Sequence, residues 1–307
     1  MKTKNAYLKY LISLLVFGSN GIVASHIALT SYEIVFTRTL IGSLLLVLIF
    51  IFTKQKTQIF KNKRHFTYLI VSGVALGTSW MFLYEAYQQI GVSIASLAYY
   101  CGPVIVIILS PVIFREKLTR TKIIGFFAVL IGMIFVNIEA ISEGKTFWGL
   151  FCGMMSAVMY SVMVIFNKKA KTITGLENPM WQLIASFVTV AAFVGIRQGF
   201  TFSIDSASIV PIFVLGIINT GFGCYLYFSS IGQLPVQTVS ICGYLEPLSA
   251  LLFSAALLGE SLGFTQIVGA VLILGGAAFG ELFRRNELKA VSTNEPGLYN
   301  EAEVSTF

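Results

Sequence analysis

The sequence predicts an all-α integral membrane protein: ten transmembrane helices folded as two inverted five-helix repeats. Three observations predict it: too few charges for a water-facing surface, ten apolar runs of spanning length, and a repeat that lays the second half over the first. Of 307 residues, 56% are hydrophobic and 11% charged, and the mean hydropathy is +0.82. A soluble domain carries about 25% charge. Most of this surface must therefore face lipid.

A spanning helix needs about 20 mostly apolar residues. Runs that meet this lie at 7–29, 31–52, 66–88, 92–114 and 121–138, and again at 147–166, 178–196, 208–230, 235–258 and 265–283. The stretch from Met1 to Lys9 is basic and precedes an apolar run, as in a secretory signal. No small-residue cleavage site follows before the second run, so 7–29 reads as an uncleaved first helix. Residues 1–140 form the first five-helix repeat and 141–285 the second, and 286–307 is expected to be a polar, disordered cytoplasmic tail.

The positions of Lys and Arg set the expected orientation. With the N-terminus in the cytoplasm, 18 of the 21 fall on the inner side, among them Lys54, Lys63, Arg64, Arg115, Arg120, Lys168 and Arg284. Only Lys145 and Arg197 fall outside, and Arg38 lies within a span. A net charge of +7 distributed in this way reports topology rather than nucleic-acid binding. The expected location is the cell membrane, multi-pass, with both termini cytoplasmic. The four cysteines, Cys101, Cys152, Cys224 and Cys242, sit inside apolar runs with no CxxC pair or nearby His. Disulfide and metal readings therefore fail, no cofactor is implied, and the thiols read as packing groups.

Superposing 91–135 on 235–279, a constant offset of 144 without gaps, matches 13 of 45 positions. The matches include Ser96/Ser240, Tyr100/Tyr244, Pro103/Pro247, Ser110/Ser254, Glu116/Glu260, Gly125/Gly269 and Gly132/Gly276. Apolar segments match often by chance, but shared Pro, Glu, Tyr and Gly in one register do not. An odd number of spans per half inserts the second half upside down. Inverted repeats of this kind build many secondary transporters, with the solute site at the repeat interface near mid-membrane.

The chain resembles the drug/metabolite transporter superfamily, in its ten-helix, EamA-type branch. The residues that carry the resemblance are Pro103 in SLAYYCGPVIVIILSPVIFREKL and Glu246-Pro247 in SICGYLEPLSALLFSAALLGESL, each run ending in a Glu and followed by a Gly-rich helix. Arg38 in YEIVFTRTLIGSLLL occupies a place where this branch often has an arginine. The resemblance covers all but the tail. It implies transport of amino acids, other metabolites or drugs, with a lean towards export.

Candidate solute-binding residues follow. Ser93, Ser96, Tyr100 and Pro103 share one face of the fourth span, and Gln237, Ser240, Tyr244 and Pro247 share the equivalent face of the ninth. Pro103 and Pro247 are expected helix breaks, each freeing a carbonyl one turn earlier. Glu246 lies near mid-membrane, where a charge costs at least ~2.5 kcal/mol. It reads either as a protonatable group that binds a cation or couples a proton, or as a neutral carboxyl bonded to backbone disturbed by Pro247. On an ideal helix it points away from the Tyr244 stripe, and the two faces meet only if Pro247 bends the helix.

Arg38 needs an acceptor, and Glu85 and Glu246 are the available carboxylates. The alternatives are an ion pair locking the second span and a solute contact. If Arg38 and Glu246 both face the cavity, together they suit a zwitterion. Trp80, Tyr84 and Tyr87 share one face of the third span. Most of that stripe is expected in an interfacial belt, with Trp80 the best cavity candidate. Asn20 and Asn219 lie near mid-depth, where buried amides usually join helices. Glu116 and Glu260, at helix ends, read as caps or as ion pairs at a hinge.

The leading expectation is a secondary transporter exporting or exchanging small organic solutes by alternating access. The alternative is a membrane receptor or assembly protein without transport activity, which would ordinarily carry an exposed domain. An enzyme lacks parts: His26 and His65 are far apart, and no Ser–His dyad, HxxxH or carboxylate cluster is present. No P-loop appears either.

Overall fold

The computed structural model describes residues 2–294 except 56, 91–94, 96, 97, 117, 118, 137–146, 198, 201 and 259–262. Among the described residues every regular element is helical. The first half contains α1 (Lys2–Gly18), α2 (Asn20–Ser25), α3 (Ser31–Phe52), α4 (Lys63–Ile90), α5 (Cys101–Phe114) and α6 (Arg120–Val136). The second contains α7 (Phe147–Lys169), α8 (Glu177–Arg197), α9 (Ser206–Phe213), α10 (Gly223–Ile231), α11 (Val236–Gly243), α12 (Leu245–Leu258) and α13 (Phe264–Asn294). A π-helical stretch, Val214–Phe222, joins α9 to α10 without a gap.

Seven helical segments among the described residues are long and apolar enough to cross a bilayer, from Lys4–Ser25 to Val236–Leu257. The expected runs 92–114, 121–138 and 265–283 overlap shorter helices, α5, α6 and the apolar part of α13, Phe264–Phe279. The helix α13 continues to Asn294, so the segment expected as an irregular tail from residue 286 begins as helix. The outer surface is apolar, with Phe52, Val112 and Ile196 80%, 81% and 89% exposed. Such a surface is stable against hydrocarbon and would aggregate in water.

Local chemistry fixes where helices start. Thr30 and Glu33 form a capping box at the head of α3: Thr30 N–H donates to Glu33 Oε2 at 2.8 Å, and Glu33 N–H to Thr30 Oγ1 at 3.5 Å. The box satisfies two N–H groups that no helical carbonyl can reach. At the other end of the bundle, Glu177 of α8 accepts from Gln58 N–H at 2.7 Å and Ile59 N–H at 3.3 Å. This ties the 53–62 connection to α8.

The interior divides into three main apolar clusters. One gathers α1, α7, α8 and α10 around Tyr10, Leu14, Val164 and Tyr227. A second joins α3, α4 and α8 around Val35, Tyr84 and Val190. The third joins α5, α6, α11, α12 and α13 around Ile107, Met133, Tyr244 and Ile273. Trp80 and Tyr99 pack against both of the first two, and Leu245 against the first and third. These three side chains mark the seams between clusters.

The repeat is visible in the α6–α13 pairing. A Cβ on Gly132 would lie 2.7 Å from the carbonyl oxygen of Gly269, and one on Gly276 would lie 2.6 Å from that of Gly125. These are the four glycines that match at offset 144, now facing one another reciprocally across one helix pair. Close approach of this kind is what packing in lipid selects, because van der Waals contact replaces the hydrophobic drive. Gly132→Val and Gly276→Val are each expected to destabilise the fold by about 1–3 kcal/mol through overpacking. A lowered thermal midpoint in detergent checks this, with Gly275→Val as the control, because a Cβ there meets nothing within 4 Å.

Candidate functional site

Both proline-bearing spans are interrupted, and at matching residues. The chain turns at Tyr244, between α11 and α12, and at Tyr100, immediately before α5. Inside a continuous helix each proline would remove one hydrogen bond and clash with the preceding turn, at a cost of about 3 kcal/mol. Restarting the helix after the tyrosine puts Pro103 and Pro247 third in a new first turn, where an N–H is not missed. The two tyrosines then meet. Their ring centroids are 6.1 Å apart, and Tyr244 Oη donates to the carbonyl of Tyr100 at 2.7 Å. A hydroxyl from one repeat thus bonds the backbone at the break in the other.

The same interruption answers the question of which face of the ninth span turns inward. Glu246 is the second residue of α12 and Tyr244 is the turn itself, so the ideal-helix angle between them no longer holds. The Glu246 carboxylate lies in the first turn of α12, where the positive end of the helix dipole favours a negative charge. It acts electrostatically on Tyr10, Tyr99, Tyr100, Tyr160, Cys224 and Arg38. Glu246 itself is partly buried, on the side of α12 that looks towards the almost fully buried Tyr10 and Cys224. Among the described residues no hydrogen bond reaches its carboxylate.

Arg38 is 2% exposed. Its Nε donates to Thr220 Oγ1 at 3.0 Å, Nη1 to Tyr84 Oη at 3.3 Å and Nη2 to Asn20 Oδ1 at 3.5 Å. The guanidinium also lies 4.4 Å from the centre of the Trp80 ring. A desolvated contact of this type contributes about 2 kcal/mol. Every one of these partners is neutral. Of the two alternatives for Arg38, the ion pair with Glu85 or Glu246 is absent among the described residues, since neither carboxylate comes within 4.0 Å of Arg38.

Glu85 is occupied elsewhere. It accepts from Tyr32 Oη, from Gln89 Nε2 at 3.2 Å and from Trp148 Nε1 at 3.4 Å, while Arg197 stacks 5.0 Å from the Tyr32 ring. Of the stripe on the third span, Tyr84 departs from the expected interfacial belt, while Trp80 is set apart from it as the cavity candidate. Trp80 and Tyr84 point inward onto Arg38, because a buried guanidinium needs acceptors and a π face more than the membrane surface needs aromatics.

The sequence-selected residues thus divide into groups. Asn20, Arg38, Trp80 and Tyr84 come together, and Tyr100, Tyr244, Pro103, Pro247 and Glu246 form the double break. Tyr99 is 5.2 Å from Tyr100 and 5.3 Å from Tyr160 between ring centroids, continuing the aromatic wall into α7. Asn219 stands apart from both groups: its Nδ2 donates to Val16 O and to Ser19 Oγ, each at 2.8 Å. It joins the π-helical stretch to the end of α1. Ser93, Ser96 and Glu260 lie outside the described residues.

Sequence reasoning missed Thr220. Its Oγ1 accepts from Arg38 and donates to Leu215 O at 2.8 Å, a carbonyl five residues back that the π-helical winding brings into reach. Such stretches recur at functional sites. The signal available was the cluster Gly216, Gly221 and Gly223 in an otherwise bulky run. A Cβ on Gly216 would lie 2.6 Å from Ile41, and one on Gly221 2.6 Å from Leu45. These glycines let α3 press Arg38 against the stretch.

Comparison with known proteins agrees with this architecture. The pattern of the EamA-like transporter family matches residues 4–138 and a second time 147–280. YxxF, an uncharacterized transporter of Bacillus subtilis (strain 168), is 26% identical over 282 residues, covering 89% of this chain and 88% of its own. A protein of Salmonella typhimurium (strain LT2), named a probable amino-acid metabolite efflux pump, is 26% identical over 208 residues, covering 62% and 69%. A solved crystal structure has the same fold, with a TM-score of 0.78 at 17% identity, over 91% of this chain and 98% of its own.

The geometry separates joining residues from charged ones. Asn219→Ala is expected to lower stability by about 1 kcal/mol, the scale of hydrogen bonds between membrane helices. Glu246→Gln is expected to leave it unchanged, because no hydrogen bond to the carboxylate is lost. Thermal unfolding in matched detergent distinguishes the two.

Proposed function

The chain belongs to the EamA-like transporter family, and within that family we propose that it is a secondary transporter moving small organic solutes across the cytoplasmic membrane by alternating access. The observation that carries this reading is the pair of uncompensated charges in the interior. A guanidinium out of water needs a counter-charge to offset its desolvation, and charges inside membrane bundles mark solute or ion pathways. Arg38 holds only neutral partners, and two of its five N–H groups are uncommitted among the described residues. A solute carboxylate supplies the missing anion, and Glu246 receives an ammonium group. Solutes carrying both, amino acids foremost, fit best.

The double break at Tyr100 and Tyr244 supplies the moving part. Spans that turn at Tyr100 and Tyr244 pivot more easily than unbroken rods bend, and the matched breaks let the halves exchange conformations. A proton and a cationic solute compete for the Glu246 carboxylate, which couples their movements. The distribution of Lys and Arg supports a cytoplasmic side for both termini. Export or exchange is the direction we assign; the Salmonella relative's name is in keeping with it.

Reconstitution into liposomes with labelled amino acids and organic cations, with and without a pH gradient, tests the reading. Wild-type flux should exceed that of empty liposomes, and Arg38→Gln and Glu246→Gln should each lower it at least about tenfold while eluting as folded protein. Flux no greater than in empty liposomes for every solute would favour a receptor or assembly role instead.

A further inference from the structure

We propose that Glu116 and Lys168 form a two-ended electrostatic latch on the turn between α10 and α11, which holds the basic end of the bundle shut and must release for the interior to open there. The inference rests on the transport reading above and on its orientation, which makes this end cytoplasmic.

The turn spans Gly232–Pro235. At its start, α10 ends in carbonyls that no helical N–H can reach, the negative end of that helix dipole. Lys168, reaching over from α7, donates through Nζ to Ile231 O at 3.3 Å and to Leu234 O. At its finish, α11 begins with unpaired N–H groups, the positive end of the next dipole. Its N-cap position is Pro235, which has no side chain able to accept a hydrogen bond. Glu116 supplies the cap from another part of the chain: Oε1 accepts from Val236 N–H at 2.8 Å and Oε2 from Gln237 N–H at 3.3 Å. The two latch charges, one on each side of the turn, also attract one another.

A second set of hydrogen bonds, centred on the Gln237 amide, backs the latch. Gln237 Nε2 donates to Ser110 Oγ at 3.1 Å and to Glu116 O at 3.4 Å, and its Oε1 accepts from Lys122 Nζ at 2.6 Å. The first turn of α11 is thereby joined to α5, to the α5–α6 connection and to α6. These contacts join α11 to the first repeat, beside the ties of Glu177 to the 53–62 connection and of Thr172 to His65 at the same end, and moving α11 away from α5 and α6 breaks them together. A cap supplied in trans differs from an ordinary N-cap in this respect. It stabilises one arrangement of two bodies, not one helix, and so biases a conformational equilibrium.

Backbone geometry aims Glu116. Arg115, the residue before it, is left-handed at φ 57°, one of two such non-glycine residues among those described. That conformation closes α5 and turns the chain across to α11. The second repeat carries Gly259 at the matching register, the residue for which a left-handed turn costs least. Arg115→Gly should therefore preserve the latch, and it serves as the control.

The test reads access, not flux. Ser240 lies one turn above the latch on α11 and is 1% exposed. Ser240→Cys is placed in a background with the four native cysteines changed to alanine. It is labelled with an impermeant maleimide from the cytoplasmic face in inside-out vesicles and from the outer face in right-side-out ones. Glu116→Ala should raise the cytoplasmic-side rate about fivefold or more and lower the outer-side rate. Lys168→Met should act in the same direction more weakly, and Arg115→Gly should match the parent.

Rates unchanged in Glu116→Ala would overturn the latch. An equal rise from both faces would also overturn it, because that signals general loosening. Wild-type flux measured in the same vesicles separates this failure from that of the transport reading: flux with unchanged labelling rejects the latch alone, and shifted labelling without flux rejects transport alone.

Discussion

A guanidinium held out of water by neutral groups is the constraint around which this bundle is arranged. Arg38 must be desolvated to sit where it does, and no carboxylate among the described residues comes close enough to repay that cost directly. The protein offsets it piecemeal, with the Trp80 π face, the Tyr84 and Thr220 hydroxyls and the Asn20 amide. Those partners come from the α2 end of the first crossing, from α4 and from the π-helical stretch after α9. Satisfying one side chain therefore fixes the relative depth and rotation of three elements against α3.

The second constraint is that lipid offers no hydrogen bonds to an open backbone. Every irregularity within the bundle must find its partners in protein. The break at Tyr100 places a carbonyl where the Tyr244 hydroxyl can donate, the π-helical winding at Thr220 gives its hydroxyl Leu215 O, and the end of α1 receives Asn219. Glycines recur wherever two helices approach closely, most evidently in the reciprocal Gly132 and Gly276 contacts of α6 with α13. Among the described residues the turn at Tyr244 and the Asn219–Thr220 side of the π-helical stretch are buried, while Ile217, Ile218 and Phe222 of the same stretch face outward.

The apparent contradiction about Glu246 shows what tertiary structure adds. Ideal helix geometry places Tyr244 and Glu246 on different faces, and only a bend reconciles them. The proline three places after the break was legible in the sequence; the position of the break, at the tyrosine and not at the proline, was not. A helix restarts where its first turn can tolerate the missing N–H, and that site lies upstream of the proline itself. Trp80 and Tyr84 were legible as aromatics on one face. Whether that face met the membrane surface or a buried cation depended on Arg38 arriving from another helix.

By itself the sequence determined the class of solvent, the helical segments, the internal repeat and the family, because each depends on local composition or on a register that survives in one dimension. It also singled out Arg38 and Glu246, because a charge in an apolar run is conspicuous wherever the run packs. Only the tertiary structure decided the partners. Thr220 carried no signal as one threonine among many, and it became a ligand of Arg38 through a π-helical turn five residues wide. Glu116 read as a generic helix-end acid until Pro235, more than a hundred residues away, left a helix without a cap of its own. Hydrogen bonds between distant segments depend on angles and ångströms that a linear order of residues does not contain.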